Sequence, residues 1–364
     1  MISVPVQPGE SAIAGGDYHA FMVRSCWAKK HEVSIADQPK NFYKKVTYGH
    51  GFILTVLGTI AYSSLRLILT SLSRRRDYGA IVSPSHYPQD TFLLLLLKIF
   101  RFGSRYVVYF HGAFPEIPDL DRRLTRSLSL AYNLLGVLIT RLSADLVFVF
   151  NTQTRDQLTR LGISSKKIVL SENGVSIPER ITRSRKSFDA CFVGRLTKSK
   201  GIFDVLRLSQ VLREQSRRSI IAVVGDGPEK NRVENLIAKE RLEGDLLLLG
   251  IVSETSKYKV LSEARVFVFP SYHEGWCIAI AEALSCGLPV VAYNLPIYDE
   301  VFNEELIKVS TGDVNAMVRE VVYLLDNPEI ARNIGERGRE FVKRYEWNEV
   351  AEKELCAILR RDSH

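Results

Sequence analysis

No two cysteines in this 364-residue sequence form a CxxC pair. The five present (Cys26, Cys191, Cys277, Cys286 and Cys356) are scattered and odd in number. Neither a zinc site nor a disulfide framework is therefore indicated, and a reducing compartment suits such a chain. No fixed-period repeat or low-complexity tract is found, which sets aside solenoid and array architectures. The opening MISVPVQPGE lacks a basic stretch leading into an apolar core, so no signal peptide is expected. Long apolar runs are nearly missing as well. The one candidate, Gly51 to Leu72, approaches the roughly 20 residues a membrane span needs. Its apolar residues nonetheless follow a helical period: Leu54, Leu57, Ala61, Leu65, Ile68 and Leu72 share one face, while Thr55, Thr59, Ser63, Arg66 and Thr70 share another. That spacing predicts an amphipathic helix packed on a sheet, with Arg74-Arg75-Arg76 suiting its C-terminal dipole. A membrane-surface helix and a true span are the alternatives.

What is present describes a globular chain. A hydrophobic share of 46% with 25% charged residues excludes wholesale disorder, and the length allows two domains. The net charge of +8 is unevenly placed: residues 1–150 hold 17 Lys and Arg against 10 Asp and Glu. A basic half can face an anionic membrane or a phosphate-bearing acceptor. A solvated surface is the other reading.

The most informative stretch is Phe267 to Asn294, FVFPSYHEGWCIAIAEALSCGLPVVAYN. An apolar, β-branched run ending at Pro270 reads as a buried parallel strand. A loop, Ser271 to Trp276, leads to a helix that Gly287 ends, and Leu288 to Ala292 is the next strand. Two carboxylates, Glu274 in the loop and Glu282 in the helix, thus stand at the strand's C-terminal end, where ligands of open α/β sheets bind beside helix N-termini. Ionised carboxylates offer several acceptor positions for the hydroxyls of one ligand. Upstream, Phe188 to Val193 is a strand ending in Gly194-Arg195, followed by Lys200-Gly201 and a helix. Two cations beside a helix N-terminus can neutralise a departing diphosphate, Arg as a planar fork and Lys as a point charge. Gly225-Asp226-Gly227-Pro228 follows the strand Ile220 to Val224, and Gly250-Ile251-Val252-Ser253 follows Leu246 to Leu249. Both turns lie on the same sheet edge.

Strand and helix patterns in the first half repeat this theme. Ile2 to Val6 and His31 to Ile35 read as strands on either side of Gly15-Gly16 and a helix. Ala80 to Ser83, Tyr106 to Phe110 and Ala144 to Phe150 are further strands, and Leu93 to Phe100 reads as a buried helix. His111 lies at a strand tip, pointing to the ligand edge or acting as a turn residue. Pro178 to Ser187 is polar, Arg-rich and aperiodic, which marks an interdomain linker. The whole predicts an α/β protein of two doubly wound Rossmann-like domains facing a cleft: 1–177, the linker 178–187, 188–345, and a terminal helix in 346–364.

The stretch 267–294 resembles the donor-binding segment of glycosyltransferase family 4, in which Pro-Ser, Glu-Gly-aromatic and a second Glu eight residues after the first form the signature. Gly194-Arg195-Leu196 with Lys200-Gly201 resembles the family's diphosphate clamp. Gly15, Gly16 and His19 match its Gly-Gly-x-x-His turn, although His19 also reads as a surface helix residue. The resemblance is strong over 188–350 and moderate over 1–177. It implies the GT-B fold, with the terminal helix crossing back to the first domain, and transfer of a sugar from a nucleotide-diphosphate sugar with anomeric retention. Arg195 and Lys200 would hold the diphosphate, Glu274 the sugar and Glu282 the ribose. His111 would meet the sugar from the first domain. Gly194, Gly225, Gly250, Val252, Gly275, Trp276, Cys277 and Ile278 would complete the donor site, together with Gly15 and Gly16. Cys277 stands where the family often has glycine, which leaves the donor's identity open. The acidic residues suggest no Mg²⁺ cage, so neither metal nor cofactor is expected. The acceptor is a glycan or a lipid-linked group, no nucleic-acid partner is expected, and the setting is the cytoplasm, with peripheral membrane contact as an option. The alternatives are an epimerase of the same fold and a non-catalytic donor-binding subunit.

Overall fold

The computed structural model describes residues 15–29, 79–100, 105–111, 123–178 and 186–360. The expected strands at 2–6 and 31–35, the helix at 51–72 and most of the 178–187 linker lie outside these residues. The chain divides into two compact units. One runs to Asn173 and resumes at Trp347, and the other is formed mainly by Gly174–Glu346.

In the first unit four parallel strands, β1 (Ile81–Ser83), β2 (Tyr106–Phe110), β3 (Leu146–Val149) and β4 (Ile168–Leu170), stand side by side in chain order. Pairing runs Val82↔Val107, Val108↔Val147 and Phe148↔Val169. Every residue of β1, β2 and β3 is buried. Strands covered on both faces read as continuous apolar runs without alternation. Helix α1 (Gly15–Trp27) precedes β1, α2 (Pro88–Ile99) joins β1 to β2, α3 (Arg123–Ser143) joins β2 to β3, and α4 (Thr152–Arg160) joins β3 to β4. Pro88 sits in the first turn of α2, where a missing N–H costs nothing. The Asn151 side chain caps α4 by accepting from the Thr154 N–H at 2.7 Å. The reading of a wholly buried helix up to Phe100 needs correction: Ile99 and Phe100 are 64% and 63% exposed, because α2 runs past the sheet it covers.

The second unit holds six parallel strands in the order β10-β9-β8-β5-β6-β7. These are β5 (Phe188–Val193), β6 (Ile221–Val224), β7 (Leu246–Gly250), β8 (Ala264–Phe269), β9 (Val290–Tyr293) and β10 (Ile307–Val309). The connecting helices relevant here are α5 (Ile202–Glu214) after β5, α6 (Lys230–Lys239) after β6, α7 (Glu254–Glu263) after β7 and α8 (Ile278–Ser285) after β8. Further along come α9 (Pro296–Val301), α10 (Val314–Asp326) and α11 (Pro328–Val342). From β5 the chain winds outward through β6 to β7, then returns to the other side of β5 for β8. Direction reverses between β5 and β8, and a crevice opens at their C-terminal ends.

The first unit closes four residues before the expected 177. Val175 donates its N–H to the Tyr345 carbonyl at 2.7 Å and the Arg339 guanidinium donates to the Pro178 carbonyl at 2.6 Å, which fastens 174–178 to the second unit. After a 3₁₀ turn at Lys343–Tyr345, α12 (Trp347–Leu359) belongs to the first unit. There Trp27 donates its indole N–H to the Ala351 carbonyl at 2.7 Å. Glu354 of α12 is 2% exposed and accepts from the Tyr109 and Ser171 hydroxyls, with His19 Nε2 3.1 Å away. A carboxylate held this deep requires such partners.

Candidate functional site

The loops after β5 and β8 clasp one another at the switch point. Tyr272 donates its N–H to the Ser199 carbonyl at 2.9 Å, and the Ser271 hydroxyl donates to the same oxygen at 3.2 Å. Gly201 opens α5 with φ +72°, and a Cβ there would stand 2.0 Å from the Pro270 carbonyl oxygen. Only glycine permits both that backbone conformation and that approach. Gly225, at φ +137°, would likewise put a Cβ 2.0 Å from the Gly194 carbonyl oxygen. Three loops of the sheet edge are thus in backbone contact.

Two of the ion pairs on this edge involve the predicted site carboxylates. Lys200 Nζ is 2.5 Å from Glu274 Oε1, with the Glu274 side chain 6% exposed. Burial works against the Lys200 charge, but Glu274 and Cys277 outweigh it and hold its pKa above the usual lysine value. Lys257, on α7, reaches Glu282 Oε1 at 2.7 Å and Glu254 Oε1 at 2.8 Å. Burial pushes the Glu282 carboxyl upward while the Lys257 ammonium pulls it back. Burial likewise opposes the Lys257 charge, and the two carboxylates raise its pKa in spite of it. Arg195 is exposed and makes no ion pair with another described residue. The edge therefore holds one open guanidinium and two lysine–carboxylate pairs, a set able to grip a polyanion with hydroxyl groups.

Other predicted residues fall in different surroundings. The Trp276 side chain, expected in the donor site, packs inward. It is 4% exposed, with its ring 5.1 Å from Tyr345 and 5.6 Å from Phe302, so it anchors the loop to the core. Cys277 precedes α8 at φ +80° with a buried thiol, and burial beside Glu274 raises that thiol's pKa well above its ordinary value. Gly275 and Ile278 flank this pair half-buried, Gly250 (φ +68°) ends β7 and Val252 lies on the loop after it.

Gly15 and Gly16 open α1 in the first unit. His19 is fully buried, not a surface residue, because α1 is covered by α12. His111 follows β2, its Nε2 3.0 Å from the Pro84 carbonyl. Burial first, and then His19, push its pKa down to about 3. Sequence reasoning missed Lys257, whose only local signal is Glu254 three residues earlier. It also missed Tyr298 of α9, a fully buried phenol whose pKa is raised by burial and then by Cys277 and Glu274. No group of three or more His, Cys, Asp or Glu among the described residues is placed to hold a metal. The expectation of no metal also passed over Asp119-Leu120-Asp121, which falls outside the described residues.

Two parallel-stranded α/β units, the second of them doubly wound, carry the fold of the GT-B glycosyltransferases. Within the second unit, residues 176–341 match the family model described as glycosyl transferases group 1. Over 223 residues the chain is 28% identical to a subunit of phosphatidylinositol N-acetylglucosaminyltransferase from Arabidopsis thaliana, covering 57% of this chain and 47% of the relative. The chain spans about half the length of this and another curated relative that it matches. Among solved structures, sucrose-phosphate synthase from Thermosynechococcus elongatus superposes with a TM-score of 0.75 at 19% identity, covering 98% of this chain and 97% of its own. HepE of Anabaena, solved with UDP-glucose, gives 0.71 at 14% identity over 98% and 99%. At these identities the structures speak for the fold. Among the described residues no helix is long and apolar enough to cross a membrane.

Proposed function

We propose that the protein transfers a glycosyl group, with retention of anomeric configuration, from a nucleoside-diphosphate sugar to a glycan or lipid-linked acceptor. The observation that carries this is the 2.5 Å pair of Lys200 and Glu274 across the clasped loops. Without donor the two side chains neutralise each other. A diphosphate draws Lys200 to itself and shares it with Arg195, whose guanidinium is open. Glu274 is then released to accept hydrogen bonds from sugar hydroxyls. Two fixed cations stabilise the charge that grows on the leaving group as the glycosidic bond breaks, so the step needs no resident metal. Glu282, held by Lys257, accepts from the ribose hydroxyls.

A solved neighbour holding UDP-glucose supports the donor class, and the Arabidopsis relative named for phosphatidylinositol supports a lipid-borne acceptor. With the basic charge of residues 1–150, such an acceptor implies peripheral contact at the cytoplasmic face of a membrane. A panel of UDP, UDP-sugars and GDP-sugars scored by thermal stabilisation tests the donor reading. One of them should raise the melting temperature of the wild type and not of a variant carrying Arg195→Ala and Lys200→Ala. Equal stabilisation of both proteins, or of neither, would count against it. Proton NMR of the product's anomeric signal then decides retention.

A further inference from the structure

Helix α3 is amphipathic in the reverse sense: its outward arc is apolar. Leu130, Leu134, Leu135, Leu138 and Leu142 are 40–56% exposed. Spacings of four residues place Leu130, Leu134, Leu138 and Leu142 along one stripe. Among the described side chains, the exposed arc also carries Ala131, Ser127 and Arg141. The inner face is satisfied in the ordinary way, with Val137, Ile139 and Thr140 buried. A water-facing helix ordinarily carries its charges on this side, and a contiguous apolar patch on a protein surface marks a contact.

The patch continues at its C-terminal end. Lys98 donates to the Ser143 carbonyl at 2.9 Å and pairs with Asp145 at 2.6 Å, which brings the end of α2, bearing the exposed Ile99 and Phe100, to the C-terminal end of α3. Lys167 donates to the Ala144 carbonyl at 2.8 Å, and Arg141 lies against Gly162. The corner formed by Arg160, the 36%-exposed Leu161 and Lys166 therefore joins the same end.

Charge selects the occupant. The 21 residues of α3 include Arg123, Arg126 and Arg141 and no acidic residue. At the adjoining corner the two carboxylates are already matched, Asp145 by Lys98 and Asp156 by Arg155. Among the described residues, a leucine face with Arg141 at its end and no unmatched carboxylate at the adjoining corner is the pattern of a helix lying in a membrane interface. There the apolar side enters the acyl boundary and the cations meet anionic headgroups. A second copy of the chain would instead bring the same cations together.

We infer that the outward leucine face of α3, continued by Ile99 and Phe100, is an in-plane docking surface for an anionic bilayer. This rests on the membrane-contact reading above and names the surface that makes the contact. Apposed to the bilayer, the face brings the first unit to the plane in which a lipid-borne acceptor lies.

Vesicle flotation of the full chain tests the inference, with pure phosphatidylcholine vesicles set against vesicles rich in phosphatidylglycerol. The wild type should float with the anionic vesicles and be released by salt, since the headgroup attraction is screened. A variant with Leu134→Gln and Leu138→Gln should lose about tenfold or more in partitioning, while keeping the wild-type melting temperature and the thermal shift with UDP. Unchanged flotation of that variant, or equal binding to both vesicle types, overturns the inference. So does a dimer in sedimentation that the double substitution dissociates. The UDP shift is read in the same samples, so failure of the donor reading is seen separately.

Discussion

Lys257 and Glu282 form a buried pair whose two halves are not equivalent. The Glu282 side chain is 6% exposed and pairs with Lys257, whereas Lys257 has two carboxylates, Glu282 at 2.7 Å and Glu254 at 2.8 Å. Removing the lysine leaves a carboxylate in the core without its counter-charge, at a cost of about 3–5 kcal/mol. Removing the acid leaves the lysine on Glu254 near the surface, where the lost hydrogen bond is worth about 1 kcal/mol. Lys257→Met should therefore lower the melting temperature of the second unit by about 6–12 °C at the lower of those costs, and Glu282→Gln by about 2–4 °C. Combining Lys257→Met with Glu282→Leu replaces both charges by apolar groups and should recover about 2 kcal/mol or more relative to Lys257→Met alone. Calorimetry on the full chain reads these shifts. Thermal stabilisation by UDP, measured in parallel, should be lost in Glu282→Gln if Glu282 accepts from the ribose. If Glu282→Gln costs as much stability as Lys257→Met, or the double variant is no better than Lys257→Met, the asymmetric pair is the wrong description.

Lys200→Ala should lower kcat by about a hundredfold or more, far more than it weakens donor binding, since its charge matters most as the leaving group develops; steady-state kinetics with donor titration checks the split. Chelation with EDTA should leave the rate within about twofold of the untreated enzyme, because Arg195 and Lys200 supply the positive charge that a metal would otherwise provide. Acid should destabilise the first unit. His111 and His86 have pKa values lowered to about 3 and about 4, in each case chiefly by burial. Groups depressed in the folded state contribute stability that is complete above the unfolded value of about 6.5 and is lost as pH falls toward the folded value. Each histidine should cost about 2 kcal/mol by pH 5, read by urea unfolding at pH 7.5 and pH 5, and His86→Gln should flatten that dependence.

The parallel strands are the most legible part of the chain, for a physical reason. A strand covered on both faces can be built only from a continuous apolar run, and Ile221–Val224 and Tyr106–Phe110 stand where such runs predict them. The glycines of the loops were legible because backbone crowding leaves them no substitute, as Gly201 against Pro270 and Gly225 against Gly194 show. Partnership across space was not legible. Lys257 lies 25 residues before Glu282 on a helix of mixed polarity, and nothing local tells which of its faces meets the switch point. Trp276 reads as a ligand contact because aromatic rings serve both pockets and cores. Its neighbours Phe302 and Tyr345 arrive from segments whose packing a pattern in one dimension does not encode. Helix α3 escaped for a related reason: with leucines on its exposed face and Val137 and Ile139 on its buried one, the apolar period does not tell which side is the outer one.

Strand order explains why a lysine and a glutamate separated by 74 residues meet at all. Had β8 continued outward beyond β7, the loop bearing Glu274 would lie three strands away from the loop bearing Lys200. The return of the chain to the free side of β5 makes the two loops neighbours, and the Ser199 carbonyl, taking hydrogen bonds from Ser271 and Tyr272, locks their register. The pair is thus held by backbone rather than by its own attraction. Its charges can part for a ligand without the loops moving, and little of the binding energy is spent on ordering the site. A loop fixed in this way needs its anchor, which is the service Trp276 performs by entering the core one residue before the strained Cys277. The same loop therefore divides its labour, with Glu274 paired to Lys200 across the clasped loops and Trp276 two residues later among the aromatic rings of the core.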